Sequence, residues 1–126
     1  MKTVFFRHEL IGPEFKIIIA TSADDIHALG LASDFWLLNG TAHHCVIPLY
    51  IDNGVVLCLS NTNRTDADLA ALVHECEHIK QFYLEMNDAS TLLKNWDASV
   101  PPIKQGEKEF HAYLIQDFFT LVLRHL

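Results

Sequence analysis

The chain has 126 residues, of which 50% are hydrophobic and 20% are charged, which is enough apolar material for one folded core but not for two domains. We therefore expect a single domain over residues 1–126. Sixteen acidic residues against nine basic ones give a formal net charge of -7, which argues against a broad phosphate-binding surface, so we expect no nucleic-acid partner.

The sequence contains no segment that predicts export or membrane insertion. No run approaches the roughly 18 apolar residues of a spanning helix, and polar and charged residues at positions 7–9 interrupt a short apolar run near the start. Cys45, Cys58 and Cys76 are odd in number and lack C-x-x-C spacing, which is typical of free thiols in a reducing compartment. We expect a cytoplasmic protein with no membrane partner and with all three thiols buried.

The first part of the chain predicts two strands and a helix. Residues 15–20 (FKIIIA) form a β-branched run that is typical of a buried strand, and residues 3–7 would pair with it. Residues 21–25 supply an N-cap and first-turn acids for a helix. We expect this helix to run to about Leu38, where an Asn-Gly pair would end it.

Two apolar runs in the middle of the chain predict a hairpin. They cover residues 45–51 and 55–60 and are joined by Asp52-Asn53-Gly54. An Asn-Gly pair favours the positive φ angles of a tight turn between antiparallel strands.

The second half of the chain predicts helices. Residues 65–68 cap a long helix that reaches about Met86 and carries an apolar stripe at helical spacing. A shorter helix is expected over residues 89–95, a proline-containing loop over residues 96–106, and an amphipathic helix over residues 107–124. No internal repeat or linker is visible, so the predicted class is α+β.

The sequence HECEH on the long helix indicates a metal site. His74 and His78 are four residues apart, about 40° round the helix axis, so both imidazoles can reach one ion. Glu75 lies about 100° from His74, where it can take a proton from a zinc-activated water. Cys76 projects to the opposite side and is expected in the core. We predict a Zn²⁺ site with Glu75 as catalytic base; the structural alternative is two half-buried histidines paired with carboxylates.

A third ligand must come from elsewhere, because catalytic zinc usually has three protein ligands. The metzincin pattern is absent, since Leu84 stands where its third histidine would be. The last helix offers two exclusive pairs, Glu109 with Tyr113 on one face and Glu107 with His111 on a nearly opposite face. Helical spacing does not decide between the pairs, and all four side chains are also typical of a solvated first turn.

HECEH followed by EFHAY resembles the glutamate-type zincins, in which a glutamate from a later helix, often within E-x-x-A-Y, joins the two histidines. The resemblance implies that His74, His78 and Glu109 hold the zinc and that Tyr113 lies beside it. It also implies a minimal zincin-like fold, with a small antiparallel or mixed sheet, the HExxH helix and an antiparallel C-terminal helix. More narrowly, residues 66–120 are similar to short metallopeptidase-like proteins of bacteriophages and prophages, which would place the chain in the bacterial host cytoplasm.

The resemblance further implies a metallopeptidase that cleaves a peptide or protein substrate. Tyr113 would donate to the oxyanion, or its ring would pack between the two helices. The strand at residues 55–60 would bind an extended substrate by strand addition. Thermolysin-type enzymes use a second domain to form half of the cleft, so a protein partner would complete it here. His43 and His44 are either substrate or extra metal ligands or surface residues.

A non-catalytic zinc-binding module, acting as a phage structural or host-interaction protein, is the alternative function. A fourth protein ligand such as His111, Cys45 or His43 would close its metal site, whereas a catalytic site keeps that position for water. A hydrolase of non-peptide amides would have the same sequence signature.

Overall fold

The computed structural model describes residues 1–8, 11–31, 37–38, 41–42 and 44–126. In these ranges the strands are β1 (Lys2–Phe6), β2 (Phe15–Ala20), β3 (Leu37–Leu38), β4 (Thr41–Ala42), β5 (Cys45–Leu49) and β6 (Gly54–Cys58). The α-helices are α1 (Ala23–Ala28), α2 (Asp66–Met86), α3 (Ala89–Ser99) and α4 (Glu107–Arg124). This arrangement confirms the predicted α+β class.

The four longer strands form one mixed sheet in the order β1-β2-β6-β5. β1 is antiparallel to β2, β2 is parallel to β6, and β5 is antiparallel to β6. The β-branched run of β2 suits an inner position because strands that are covered on both faces favour Val and Ile. In this strand order β5 lies at an edge of the sheet, whereas β6 is paired along both of its edges.

Alternate residues of β6 point to opposite faces of the sheet and separate two apolar clusters. Val55 and Leu57 belong to the larger cluster, together with residues of α2, α3 and α4. Val56 and Cys58 belong to the smaller cluster, with Ile26 of α1. The three long helices therefore cover one face of the sheet, and α1 covers the other.

The first helix is much shorter than predicted, and the prediction that it reaches about Leu38 is wrong. Gly30 has a φ of 73°, a left-handed conformation that glycine adopts without strain. The N–H of Leu31 donates to the carbonyl of Ile26 at 3.2 Å, and that of Gly30 donates to His27 at 2.9 Å. These paired bonds form a Schellman C-cap, which ends α1.

The predicted hairpin is present, although both strands are shorter than residues 45–51 and 55–60. β5 ends at Leu49, and Tyr50–Asp52 form a short 3-10 turn. Asn53 then takes a left-handed φ of 49°, as the Asn-Gly pair predicts.

The long helix begins where its cap predicts. The Thr65 hydroxyl accepts a hydrogen bond from the N–H of Asp68 at 3.2 Å, which satisfies one free donor of the first turn. Arg64 donates to the carbonyl of Leu123 at 3.1 Å, so the start of α2 lies beside the end of α4. In the described part of the chain, no helix has the length and apolar content that a bilayer span requires.

Candidate metal centre

α2 brings two imidazole rings together on its outer side. The Nε2 atoms of His74 and His78 lie 3.2 Å apart. Two nitrogen ligands of one tetrahedral zinc ion, each about 2.05 Å from the metal, are separated by about 3.3 Å. The separation of the two histidines therefore fits a single zinc ion.

The side chain of Gln81 selects the tautomer of His78. Its Oε1 lies 3.0 Å from Nδ1 of His78, and because an amide oxygen can only accept a hydrogen bond, Nδ1 must carry the proton. Gln81 Nε2 in turn donates to Glu77 at 3.3 Å, which agrees with this amide orientation. In the neutral ring the Nε2 atom of His78 is therefore unprotonated, so its lone pair faces Nε2 of His74 and can bind a metal in place of that contact.

Glu75 is a buried carboxylate next to the histidine pair, with an exposed fraction of only 7%. Burial raises the pKa of the Glu75 carboxyl, and the neighbouring imidazoles of His74 and His78 oppose this rise. A desolvated carboxylate is a stronger base than an exposed one, which is what general-base catalysis requires.

An open groove lies between α2 and the sheet edge at β5. One hollow of about 330 Å³ is lined by His44, Ser60, Asn61, Asp68, Ala71, His74 and Glu75. A second hollow of about 300 Å³ is lined by His44, Cys45, Val46, Glu75, His78 and Phe82. Glu75 and His44 line both hollows, so the carboxylate and this imidazole border the same space.

His44 lies directly before β5, and Ser60 fixes its ring. The backbone N–H of Ser60 donates to Nδ1 of His44 at 3.0 Å, and the Ser60 hydroxyl oxygen lies 3.3 Å from the same nitrogen. Burial lowers the pKa of the His44 imidazole, and the charge of Asp68 opposes this effect. His44 thus lines the groove, which favours a contact with the substrate over a position on the open surface. His43 lies outside the described residues.

The side chains predicted at the start of α4 do not join the histidine pair. Glu109 is exposed, and His111 Nδ1 lies 3.5 Å from the ammonium of Lys80. The ring of Tyr113 packs against Trp96 of α3, with 5.3 Å between ring centroids. This contact holds the ring of Tyr113 against α3, and its role as an oxyanion donor stays a prediction.

α4 packs on the flank of α2 that faces away from the histidine pair. Lys80, which contacts His111, lies about 160° round α2 from His78, and Glu109 lies a similar angle round α4 from His111. Glu109 therefore points away from α2. Turning it inward would expose the buried stripe of α4, which consists of Phe110, Leu114, Phe118 and Val122. Exposing such side chains costs on the order of 1.5–3 kcal/mol each.

The predicted ligand set of His74, His78 and Glu109 is not assembled in this structure. Among the residues that the structure describes, no three His, Cys, Asp or Glu side chains are grouped so that they could hold a metal ion. The histidine pair fits zinc, and Glu109 as the third ligand stays a prediction.

No protein-family model matches this chain, and no curated protein or solved structure is detectably similar to it. Its function is therefore inferred from the residues of the groove.

The strand that could accept an added peptide strand is β5 and not the predicted strand at residues 55–60. Residues 55–60 cannot accept an added strand where they form β6, because β6 pairs with β2 along one edge and with β5 along the other. β5 lies at the edge of the sheet beside the groove, and within the described residues no strand pairs with its outer edge. An extended peptide would therefore pair with β5.

The three cysteines occupy different environments. Cys76 is fully buried in the core, as its position on α2 predicts. Cys58 is also buried, but Cys45, its partner in the β5–β6 register, is only half-buried and lines the groove. A hydrogen bond from Cys58 lowers the pKa of the Cys45 thiol, whereas the same contact, together with burial, raises the pKa of Cys58. The prediction of three buried thiols is thus wrong for Cys45.

Proposed function

We propose that this protein is a zinc-dependent hydrolase that cleaves an amide bond of a peptide or protein substrate. The proposal rests on the 3.2 Å separation of Nε2 in His74 and His78. The contact of Gln81 with His78 adds to it, because that contact leaves the metal-facing nitrogen unprotonated. The resemblance to glutamate-type zincins supports the same metal; the third ligand that it implies, Glu109, is exposed and is not grouped with the histidine pair in this structure.

Glu75 is the proposed general base. Zinc, when bound to the histidine pair, supplies Lewis-acid chemistry to the groups in contact with it. The Glu75 carboxylate accepts the proton of the attacking water and later delivers it to the leaving amine. Its position supports this role, because it lines both hollows of the groove, one beside His74 and the other beside His78.

The proposed substrate is an extended peptide that lies along the groove. The outer edge of β5 offers backbone carbonyls and N–H groups to such a chain, although Pro48 has no N–H to donate. The side chains of α2 face this chain from the other side. α2 and β5 border the groove on two sides. As the resemblance implies, a protein partner would form the remaining side of the cleft. Free thiols at Cys45, Cys58 and Cys76 suit a cytoplasmic location, in the bacterial host if a phage encodes the chain.

Comparing the parent protein with Glu75→Gln tests the proposal. The amide is nearly isosteric with the carboxylate but cannot accept the proton of water, so cleavage of a peptide library should fall about 10²–10⁴-fold while zinc content is unchanged. His27→Ala, which alters an exposed histidine on α1, is the matched control and should cleave like the parent. Equal cleavage rates in the Glu75→Gln variant and the parent would contradict the assignment of the base.

A non-catalytic zinc module is the second candidate function. It is favoured by the lack of any three-residue metal-binding group among the described residues, because a two-histidine site can be completed by side chains of a partner protein. A parent protein that binds zinc tightly yet cleaves no member of the library would support this module and contradict the hydrolase.

A further inference from the structure

We infer that His44 is a catalytic residue of the proposed hydrolase, donating a hydrogen bond from Nε2 to the substrate carbonyl oxygen as that oxygen becomes negatively charged. The inference rests on the proposed function, which supplies the reaction. It concerns the sheet side of the groove, opposite the residues of α2.

The tautomer of His44 follows from its contact with Ser60. A backbone N–H can only donate, so the 3.0 Å contact between the Ser60 nitrogen and Nδ1 requires a lone pair on Nδ1. In the neutral ring the proton must then be on Nε2. This is the opposite of His78, where the Gln81 oxygen keeps the proton on Nδ1.

This tautomer makes His44 a donor and not a metal ligand. Nδ1 is already occupied by Ser60, and a protonated Nε2 has no lone pair for zinc. An N–H donor held in place before the reaction is well suited to stabilise an oxyanion, because no reorganisation is needed as the charge develops.

The position of His44 places this donor where the reaction would occur. Its ring lines the hollow that contains His74 and also the hollow that contains His78, and Glu75 lines both. A peptide along β5 would therefore have the base and the histidine pair on its α2 side and the His44 ring on its sheet side. The ring of Tyr113, the oxyanion donor that the resemblance implies, packs against Trp96 of α3.

The tautomer can be tested in the metal-free protein. Long-range proton–nitrogen NMR correlations of the imidazole rings should show His44 as the Nε2–H tautomer, assigned by the signals that His44→Ala removes. An Nδ1–H tautomer would overturn the inference without involving zinc or catalysis.

The role in catalysis can be tested by ligand binding to the zinc-loaded protein. A phosphonopeptide carries a tetrahedral anion like that of the addition intermediate, whereas the matching amide peptide is planar. We expect His44→Ala to weaken binding of the phosphonopeptide by about 10²-fold and to change binding of the amide peptide by less than about threefold. Zinc affinity, measured by competition with a chelator, should stay within about threefold of the parent value. His27→Ala is again the control.

The outcomes separate the inference from the proposed function. If the parent binds zinc and the phosphonopeptide, and His44→Ala binds both equally well, the inference fails and the hydrolase stands. Equal weakening of both peptides would indicate a structural role and also overturn it, as would a tenfold or larger loss of zinc affinity, which would make His44 a ligand. A parent protein that binds neither zinc nor the phosphonopeptide would contradict both proposals together.

Discussion

Gln81 holds the imidazole of His78 through a 3.0 Å hydrogen bond between its side-chain oxygen and Nδ1. Partners of this kind fix the orientation of a metal-binding histidine and increase its basicity, and their loss typically costs 10–100-fold in metal affinity. We therefore expect Gln81→Ala to weaken zinc binding by about tenfold or more, measured by titration against a competing chelator. Gln116→Ala, at an exposed position of α4, is the control. Unchanged affinity in the Gln81 variant would show that Gln81 does not support the metal site.

The third ligand is tested by single alanine variants of α4. The resemblance to zincins predicts that Glu109→Ala loses zinc affinity by orders of magnitude. The structure predicts a change of less than about threefold, because Glu109 is exposed on the face of α4 that points away from α2. We expect the smaller effect. Zinc titration of the Glu109, Glu107 and His111 alanine variants would decide, and a large loss in the first alone would restore Glu109 as a ligand.

Glu75 should make the metal-free protein less stable as the pH rises. Because burial raises the pKa of its carboxyl above the ordinary value of 4.5, the folded state binds the proton more tightly than the unfolded state. Its favourable contribution is complete below 4.5 and is lost as the pH rises through the folded-state pKa. Glu75→Gln should therefore unfold at higher urea than the parent near neutral pH, with the difference shrinking below 4.5.

The control for this stability measurement is Glu109→Gln, which changes an exposed carboxylate and should have little effect at either pH. A Glu75→Gln variant that is less stable than the parent near neutral pH would show that the carboxylate has favourable partners in the fold.

Cys45 should react first with a thiol reagent. It is half-buried, and the contact with Cys58 lowers its pKa, so more thiolate is present near neutral pH. Cys76 is fully buried, and burial raises its pKa to about 12. Brief treatment with iodoacetamide followed by peptide mass spectrometry should find the label on Cys45, and faster labelling of Cys58 or Cys76 would contradict this order.

Features that depend on local sequence could be predicted well. The Thr65 cap and the apolar periodicity locate α2, and the four-residue spacing alone brings His74 and His78 to one side of it. The end of α1 is also a local feature, since Gly30 is a typical C-cap residue, although the more distant Asn39-Gly40 pair carries the same kind of sequence signal.

Features that depend on packing between distant segments could not be predicted. Which face of α4 meets α2 is decided by burial of its apolar stripe and by the contact of His111 with Lys80, residues 31 apart in the chain. The proposed role of His44 depends on its contact with Ser60, 16 residues away in the chain, and this contact requires β5 and β6 to have paired. Helical spacing gives the angle between Glu109 and His111 but not the direction in which the helix is turned.

The zinc content of the purified protein tests the central claim most directly. Metal analysis of protein prepared without chelators and then supplied with zinc should find about one zinc ion per chain. The His74→Ala and His78→Ala variants should each lose most of it, because one remaining imidazole cannot chelate the ion, whereas His27→Ala should keep it. Failure of the parent protein to hold stoichiometric zinc, or full retention in both His74→Ala and His78→Ala, would contradict the account.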